Sequence, residues 1–347
     1  MRLAGKPCFS MTEKELFRVY QNRRVLITGG LGFIGSNLAQ VLVRQAGARV
    51  CLIDNEAPHC GSNIRNLDGI EKDAEVLLGD IGDADLVRPV VRNVEIIFNL
   101  AGSISHIDSM THPHQDLHAN AGAHLSLLDT CRRENPGVRI LYAGTRQVYG
   151  RPCSLPVDES HPACPVDFNG VHKLLGEGYH FLYASLCGLR PTCLRLTNTY
   201  GPRQLLHHPR QGFVGWFIRQ ALLGEELQLF GGGHQLRDFN FVDDVVAAML
   251  LAAVSENAIG KIYNLGSGAA VSIRNFVETL LTVCPGLTFR DIDFPSERRS
   301  IDIGSYYADC SRIRADLGWE AATPLEEGLR KTLHFYRDNR SAYMMPR

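Results

Sequence analysis

The run Arg24–Thr28 (RVLIT) passes directly into Gly29-Gly30-Leu31-Gly32-Phe33-Ile34-Gly35. A β-branched strand feeding three glycines at GxxGxxG spacing, with a helix-like segment at 37–44 behind it, leaves few folds open. Glycine at Gly29, Gly32 and Gly35 permits a tight turn, lets backbone approach a pyrophosphate and lets a helix pack on its strand. The helix start, through Phe33 and Ile34, then offers free N–H groups and a positive dipole end to the phosphates. The next strand, 50–53, runs into Asp54 and Asn55. Asp54 stands 19 residues past Gly35, where a carboxylate takes the ribose hydroxyls of NAD and repels a 2′-phosphate. Glycine turns are common. The strand before this one, the helix after it and Asp54 beyond make it a dinucleotide site, and the expected cofactor is NAD.

Strand-like runs recur at 76–78, 95–100, 139–142 and 193–196, with helix-like segments at 121–133 and 171–186. Such alternation predicts an α/β fold, a Rossmann-type doubly wound parallel sheet. The second half changes character. Loops rich in Gly, Pro, His and Arg occupy 200–212 and 231–238, around a helix-like Phe213–Leu223, and 243–253, 261–264 and 272–282 read as helix, strand and helix. The expected organisation is a nucleotide-binding domain over 22–197, with 239–265 returning to it. A smaller substrate-binding lobe over 198–238 and 266–340 packs on it, and 1–21 is an N-terminal extension.

Composition excludes several function classes. A net charge of −1 makes no electrostatic case for nucleic acid or an anionic membrane. No stretch approaches the roughly 20 apolar residues of a membrane span, and 1–21 lacks the apolar core of a secretory signal. The ten cysteines form no CxxC pair and no cluster with His at metal-ligand spacing, so reduced thiols, a cytoplasmic protein and no metal are expected.

Further segments carry a resemblance over nearly the whole chain, from Arg24 to about Tyr336. Gly79-Asp80-Ile81, Asn99-Leu100-Ala101-Gly102, Thr145-Arg146-Gln147-Val148-Tyr149-Gly150, Leu196-Thr197-Asn198-Thr199-Tyr200-Gly201-Pro202, Arg237-Asp238-Phe239, Arg299-Ser300-Ile301-Asp302 and Leu317-Gly318-Trp319 occur in that order. The set resembles the extended short-chain dehydrogenases, and within them the nucleotide-sugar epimerases and dehydratases typified by UDP-galactose 4-epimerase. The resemblance implies that Asp80 and Ile81 lie at adenine, that Leu100, Ala101 and Gly102 flank the cofactor, and that Thr145 orients the sugar. It also implies that Asn198, Phe230, Arg237 and Arg299 bind the nucleotide sugar, the two arginines gripping its diphosphate.

One position departs from that pattern. The family's base is the Tyr of YxxxK, whose Lys hydrogen-bonds the nicotinamide ribose; here the stretch is Asn169-Gly170-Val171-His172-Lys173. Lys173 is present, but an amide such as Asn169 neither takes nor gives a proton near neutral pH. Either another base serves, or the chemistry needs none there, or the protein binds without turnover. A histidine suits proton transfer near pH 7. His172, one turn on and beside Lys173, and His106, just past the Asn99–Gly102 turn, are the candidates; Tyr149 is expected to pack.

The residues after Thr145 separate reaction classes. The family's 4,6-dehydratases place Asp-Glu there and its decarboxylases keep the Glu, whereas this chain has Arg146-Gln147. Epimerisation, most simply at C4, tolerates neutral residues at those positions. An NAD-dependent oxidoreductase or atypical dehydratase on the same substrates, and a catalytically silent NAD/sugar-nucleotide binding protein, stay open. The resemblance also implies a homodimer through the helices at 121–133 and 171–186.

Overall fold

In β1 (Arg24–Thr28) every residue after Arg24 is buried, which is what a central parallel strand covered on both faces requires. Its side chains divide with period two: Val25 and Ile27 enter one apolar cluster and Leu26 the other. The computed structural model describes residues 11–58, 60–206, 212–294 and 302–344. Six more parallel strands join β1: β2 (Arg49–Asp54), β3 (Ala74–Leu78), β4 (Ile96–Asn99), β5 (Arg139–Thr145), β6 (Arg190–Leu196) and β7 (Ile262–Leu265). The order across the sheet is β7-β6-β5-β4-β1-β2-β3. The winding reverses between β1 and β4, and a crevice for ligands opens at such a switch point, beyond the carboxyl ends of the strands.

Helices α1 (Phe33–Arg44), α2 (Ala84–Val91), α3 (Ala123–Glu134), α4 (Phe168–Cys187) and α5 (Val242–Val254) cover the sheet. Leu38 and Leu42 of α1 and Val245 and Met249 of α5 pack with Val25, Ile27 and Phe98 on one face. Val87 and Val91 of α2 and Leu127, Leu128 and Cys131 of α3 pack with Leu26, Ile97 and Ile140 on the other. Helix α4 starts at an Asp167 cap, whose Oδ1 accepts from Gly170 N at 2.8 Å, and stops at Gly188, φ +75°.

The C-terminal part adds three two-stranded pairs: Asn198–Tyr200 with Phe239–Phe241, Leu236–Arg237 with Val271–Ser272, and Leu227–Phe230 with Phe289–Ile292. Trp319 donates its indole N–H to Asp244 O at 3.1 Å and so ties the late LGW segment to α5. Two stretches add detail to the sequence reading. Residues Glu13–Tyr20 of the N-terminal extension form a helix with a Thr12–Glu15 capping box, and the Tyr20 hydroxyl donates to Leu250 O at 2.6 Å. The segment before α3 is wound into His106–Thr111, Pro113–Leu117 and a wide turn, His118–Gly122. Among the described residues, no helix is long and apolar enough to cross a membrane.

Candidate active site

At the carboxyl ends of β1, β2, β4 and β5 lies a cavity of about 450 Å³. Its floor is the glycine turn. Gly29 adopts φ +67°, and a Cβ there would stand 3.0 Å from Ala101 N. A Cβ at Gly35 would run into the Gly29 carbonyl oxygen, so turn and helix approach as closely as only glycine allows. Gly32 caps α1 and offers no side chain to its first N–H groups. Those groups, at a cavity lined by Gly32, Phe33, Ile34 and Gly35, suit a pyrophosphate.

The rest of the cradle is held by hydrogen bonds. Thr28 Oγ1 donates to Asn99 Oδ1 at 2.8 Å and accepts from Leu100 N (3.0 Å) and Ala101 N (3.1 Å). Asp54 accepts from Leu31 N (3.0 Å), Glu56 N (2.9 Å) and Ser62 Oγ (2.6 Å). Asn55 Nδ2 donates to Asp80 Oδ2 at 3.2 Å. Gly29, Gly32, Phe33, Ile34, Gly35, Asp54, Asn55, Asp80, Ile81, Leu100, Ala101, Gly102 and Lys173 line this one cavity. The described residues fit NAD: a glycine cradle, an uncapped helix start and a carboxylate at the end of β2.

The chemistry-bearing side chains come from α4 and from the segment after β4. Lys173 lies over the Tyr142 ring, 5.9 Å from its centre. Burial draws its ammonium down to about 8, although Asp116 pulls it upward. A Cβ at Gly102 would stand 2.7 Å from Nζ. Asn169, one turn earlier, is buried and its amide is committed: Nδ2 donates to Asp116 Oδ2 at 2.9 Å and to Ser103 O at 3.0 Å. Asp116 also accepts from Ser103 Oγ and pairs through Oδ1 with His172 Nδ1 at 2.7 Å. His172 stacks on Phe168 and is not among the residues lining the cavity.

His106 does line it. Its Nδ1 bonds the buried Asp167 carboxylate and its Nε2 meets the Gln147 side chain. Burial would raise the Asp167 carboxyl, but the His106 hydrogen bond and charge outweigh it and hold it below the ordinary carboxylate range. An imidazole whose Nδ1–H is held by a carboxylate keeps its lone pair on Nε2. Tyr149 is spent elsewhere. Its hydroxyl donates to Asn264 Oδ1 at 2.7 Å, its ring underlies Arg195, and burial pushes its pKa up to about 12.

A second cavity of about 300 Å³ adjoins the first, and His106, Arg146, Gln147, Gly212, Phe213 and Arg237 line both. Phe230 lines the second, Asn198 and Thr145 the first. Arg237 is buried and donates to Leu236 O at 2.8 Å, to Gln235 Oε1 at 3.2 Å and to Gly304 O. Arg299 lies outside the described residues. Six sealed side-chain atoms on the first cavity have no hydrogen-bond partner: Arg146 Nη1, Gln147 Oε1, Thr197 Oγ1, Asn198 Oδ1, Thr199 Oγ1 and Gln204 Oε1. Buried polar atoms are rarely left unpaired, so this wall is shaped for a polar ligand. Sequence reasoning had not singled out Asp116, Ser103 or Asp167. An Asp two residues before Asn169 signals a helix cap, and nothing local pairs it with His106.

Comparison with known proteins agrees with this geometry. The model of the NAD dependent epimerase/dehydratase family matches residues 25–266. UDP-glucose 4-epimerase of Mycolicibacterium smegmatis is 32% identical over 316 residues, 91% of this chain and 99% of that protein. UDP-glucuronic acid decarboxylase 1 of Xenopus tropicalis is 32% identical over 320 residues, 91% of this chain and 72% of its own length. Among solved structures, UDP-glucuronic acid 4-epimerase of Bacillus cereus, in complex with UDP-glucuronic acid and NAD, superposes with a TM-score of 0.80 at 25% identity, covering 91% of this chain and 99% of its own.

Proposed function

The chain belongs to the NAD dependent epimerase/dehydratase family, and from that premise we propose that it epimerises a nucleotide-activated sugar at C4. Its cofactor is NAD. The observation that carries the reading is one cavity shared by the glycine cradle, Thr145, Lys173 and a His106 held by Asp167. Lys173 and Thr145 position the nicotinamide ribose and the sugar hydroxyl. The hydroxyl displaces the Gln147 amide from His106 Nε2 and gives its proton to that nitrogen. Bound NAD supplies the hydride acceptor that makes the oxidation reversible. His106 returns the proton after the sugar has turned over in the site, so enzyme and cofactor end as they began. Arg237 and Asn198, with Arg299, bind the nucleotide sugar in this reading, and Phe230 packs against its base.

A second reading, binding without turnover, is favoured by the clasp of Asn169 on Asp116 and the Ser103 carbonyl, which serves packing and moves no proton. One experiment separates the two: NMR of UDP-, dTDP-, GDP-, CDP- and ADP-sugars incubated with enzyme and NAD, with absorbance of reduced cofactor followed in parallel. A C4 epimer without net reduction supports the proposal. Accumulating reduced cofactor makes the protein an oxidoreductase, and tight binding with no change at any sugar carbon makes it a silent member.

The assembly proposed is a homodimer through α3 and α4. Phe168, Val171, Leu175, Leu182 and Leu186 of α4 are exposed at three- and four-residue spacings around one missing turn. Such a stripe on a helix otherwise packed against the sheet suits a second copy. All nine described cysteines are free, which supports the reducing, cytoplasmic setting expected of the chain.

A further inference from the structure

Arg146 follows Thr145 at the end of β5 and reaches the boundary of both cavities. Its guanidinium lies over the Tyr306 ring, 5.1 Å from the ring centre, and Nη1 is sealed from solvent without a hydrogen-bond partner. Asp167, Asp238 and Asp302 are close enough to act on its charge, yet each is committed elsewhere. Asp167 holds His106 and the Gly170 amide. Asp238 accepts from Ser267 N, Ser267 Oγ and Ala308 N. Asp302 accepts from Gln235 Nε2 at 2.9 Å. Arg237, 3.8 Å from Asp302 Oδ1, adds a second positive charge: burial first, and then Arg146, lowers its pKa, while Asp302 raises it. A guanidinium nitrogen sealed without an acceptor is costly, and the neighbouring charge of Arg237 raises that cost. An anion arriving with the ligand relieves both.

We infer that Arg146 receives a carboxylate carried by the sugar ring, so that the substrates are nucleotide-activated uronate-type sugars; this rests on the sugar-nucleotide reading above. Arg146 adjoins Thr145 in the chain, and its next neighbour Gln147 touches His106, so its charge sits by the reacting part of the sugar. Arg237 approaches from the other lobe, where a diphosphate would lie. A guanidinium fork matches a carboxylate with two parallel hydrogen bonds.

The test uses NAD-loaded protein and calorimetric titration with pairs differing only at C6: UDP-glucose and UDP-glucuronate, dTDP-glucose and dTDP-glucuronate, GDP-mannose and GDP-mannuronate. The free nucleoside diphosphates complete the set. In at least one pair the acid is expected to bind about tenfold tighter or better, the scale of a hydrogen bond to a charged group. Arg146→Gln should erase that preference while the neutral sugar and the free diphosphate bind within about threefold of before, and Arg146→Lys should keep part of it. Equal wild-type affinity for acid and neutral sugar in every pair overturns the inference and leaves the epimerase reading standing. So does an Arg146→Gln variant that loses the free diphosphate as strongly as the acid, because Arg146 then grips phosphate. Failure of every sugar nucleotide to bind overturns both. The wild-type comparison decides even if a variant does not fold.

Discussion

The side-chain amide of Asn169 donates to Asp116 Oδ2 across 2.9 Å, and Asp116 in turn pairs with His172. The position where the family keeps its base is therefore a packing clasp between α4 and the segment after β4. Removing the amide leaves the Ser103 carbonyl and one Asp116 lone pair short of a donor. Asn169→Ala is expected to cost about 1–3 kcal/mol of stability, read as a lower denaturant midpoint, with turnover changed less than about tenfold. A large loss of turnover at unchanged stability would put Asn169 in the chemistry.

The two histidines should separate. His106 faces the cavity and His172 faces Asp116. His106→Ala is expected to lose about 10²–10⁴ in turnover, the scale of a missing general base, while NAD binds as before. His172→Ala should lower the melting point instead. Full activity in His106→Ala would end the substitute-base idea.

Asp167→Asn tests the support of that base. Burial favours a neutral carboxyl there, and the His106 contact overcomes this to hold the pKa down. A depressed carboxylate contributes stability above its unfolded pKa and loses it as pH falls through its folded one. The wild type should therefore shed stability below about pH 4 in a step that Asp167→Asn lacks. The variant should also lower kcat with little effect on KM. An unchanged acid limb of the stability curve would contradict this.

Asp54 should exclude NADP. Asp54→Asn removes the charge and keeps an acceptor for Leu31 N or Ser62. The preference for NAD is expected to shrink by about tenfold or more, since a like charge against a 2′-phosphate costs several kcal/mol. Wild-type protein that binds both cofactors equally by calorimetry would remove the basis for this.

Lys173 is expected to cost stability. Burial draws its folded pKa to about 8, below the ordinary lysine value of 10.5, so the unfolded chain binds more protons between those values. Stability then rises with pH across that window, and the whole penalty, about 3 kcal/mol, is present at pH 7. Lys173→Met should raise the melting point at pH 7, with the gain fading above pH 8, and should abolish turnover. A variant less stable than wild type at pH 7 would refute the assignment.

The proposed dimer rests on α4. Leu182→Arg or Val171→Asp places a charge in its exposed apolar stripe, and sedimentation should then report a monomer that still binds NAD. An unchanged dimer would move the interface elsewhere.

The glycine turn, the parallel sheet and Asp54 were legible because each rests on spacing within one contiguous segment, where residue type restricts the local backbone. The strands expected at 24–28 and 139–142 and the helices expected at 37–44 and 171–186 follow the same logic, and the folded chain extends the last three to Arg139–Thr145, Phe33–Arg44 and Phe168–Cys187. The helix Glu13–Tyr20 is signalled as well, by its Thr12–Glu15 capping box. The partners that give the site its character were not legible. His106 meets Asp167 across 61 residues and Asn169 meets Asp116 across 53. Arg146 Nη1 is left without an acceptor while Asp167, Asp238 and Asp302 nearby bond other groups. A hydrogen bond is directional and short, so which donor reaches which acceptor depends on how α4 docks against the segment after β4. That docking is decided by close packing of the whole core, and no local period in the chain records it.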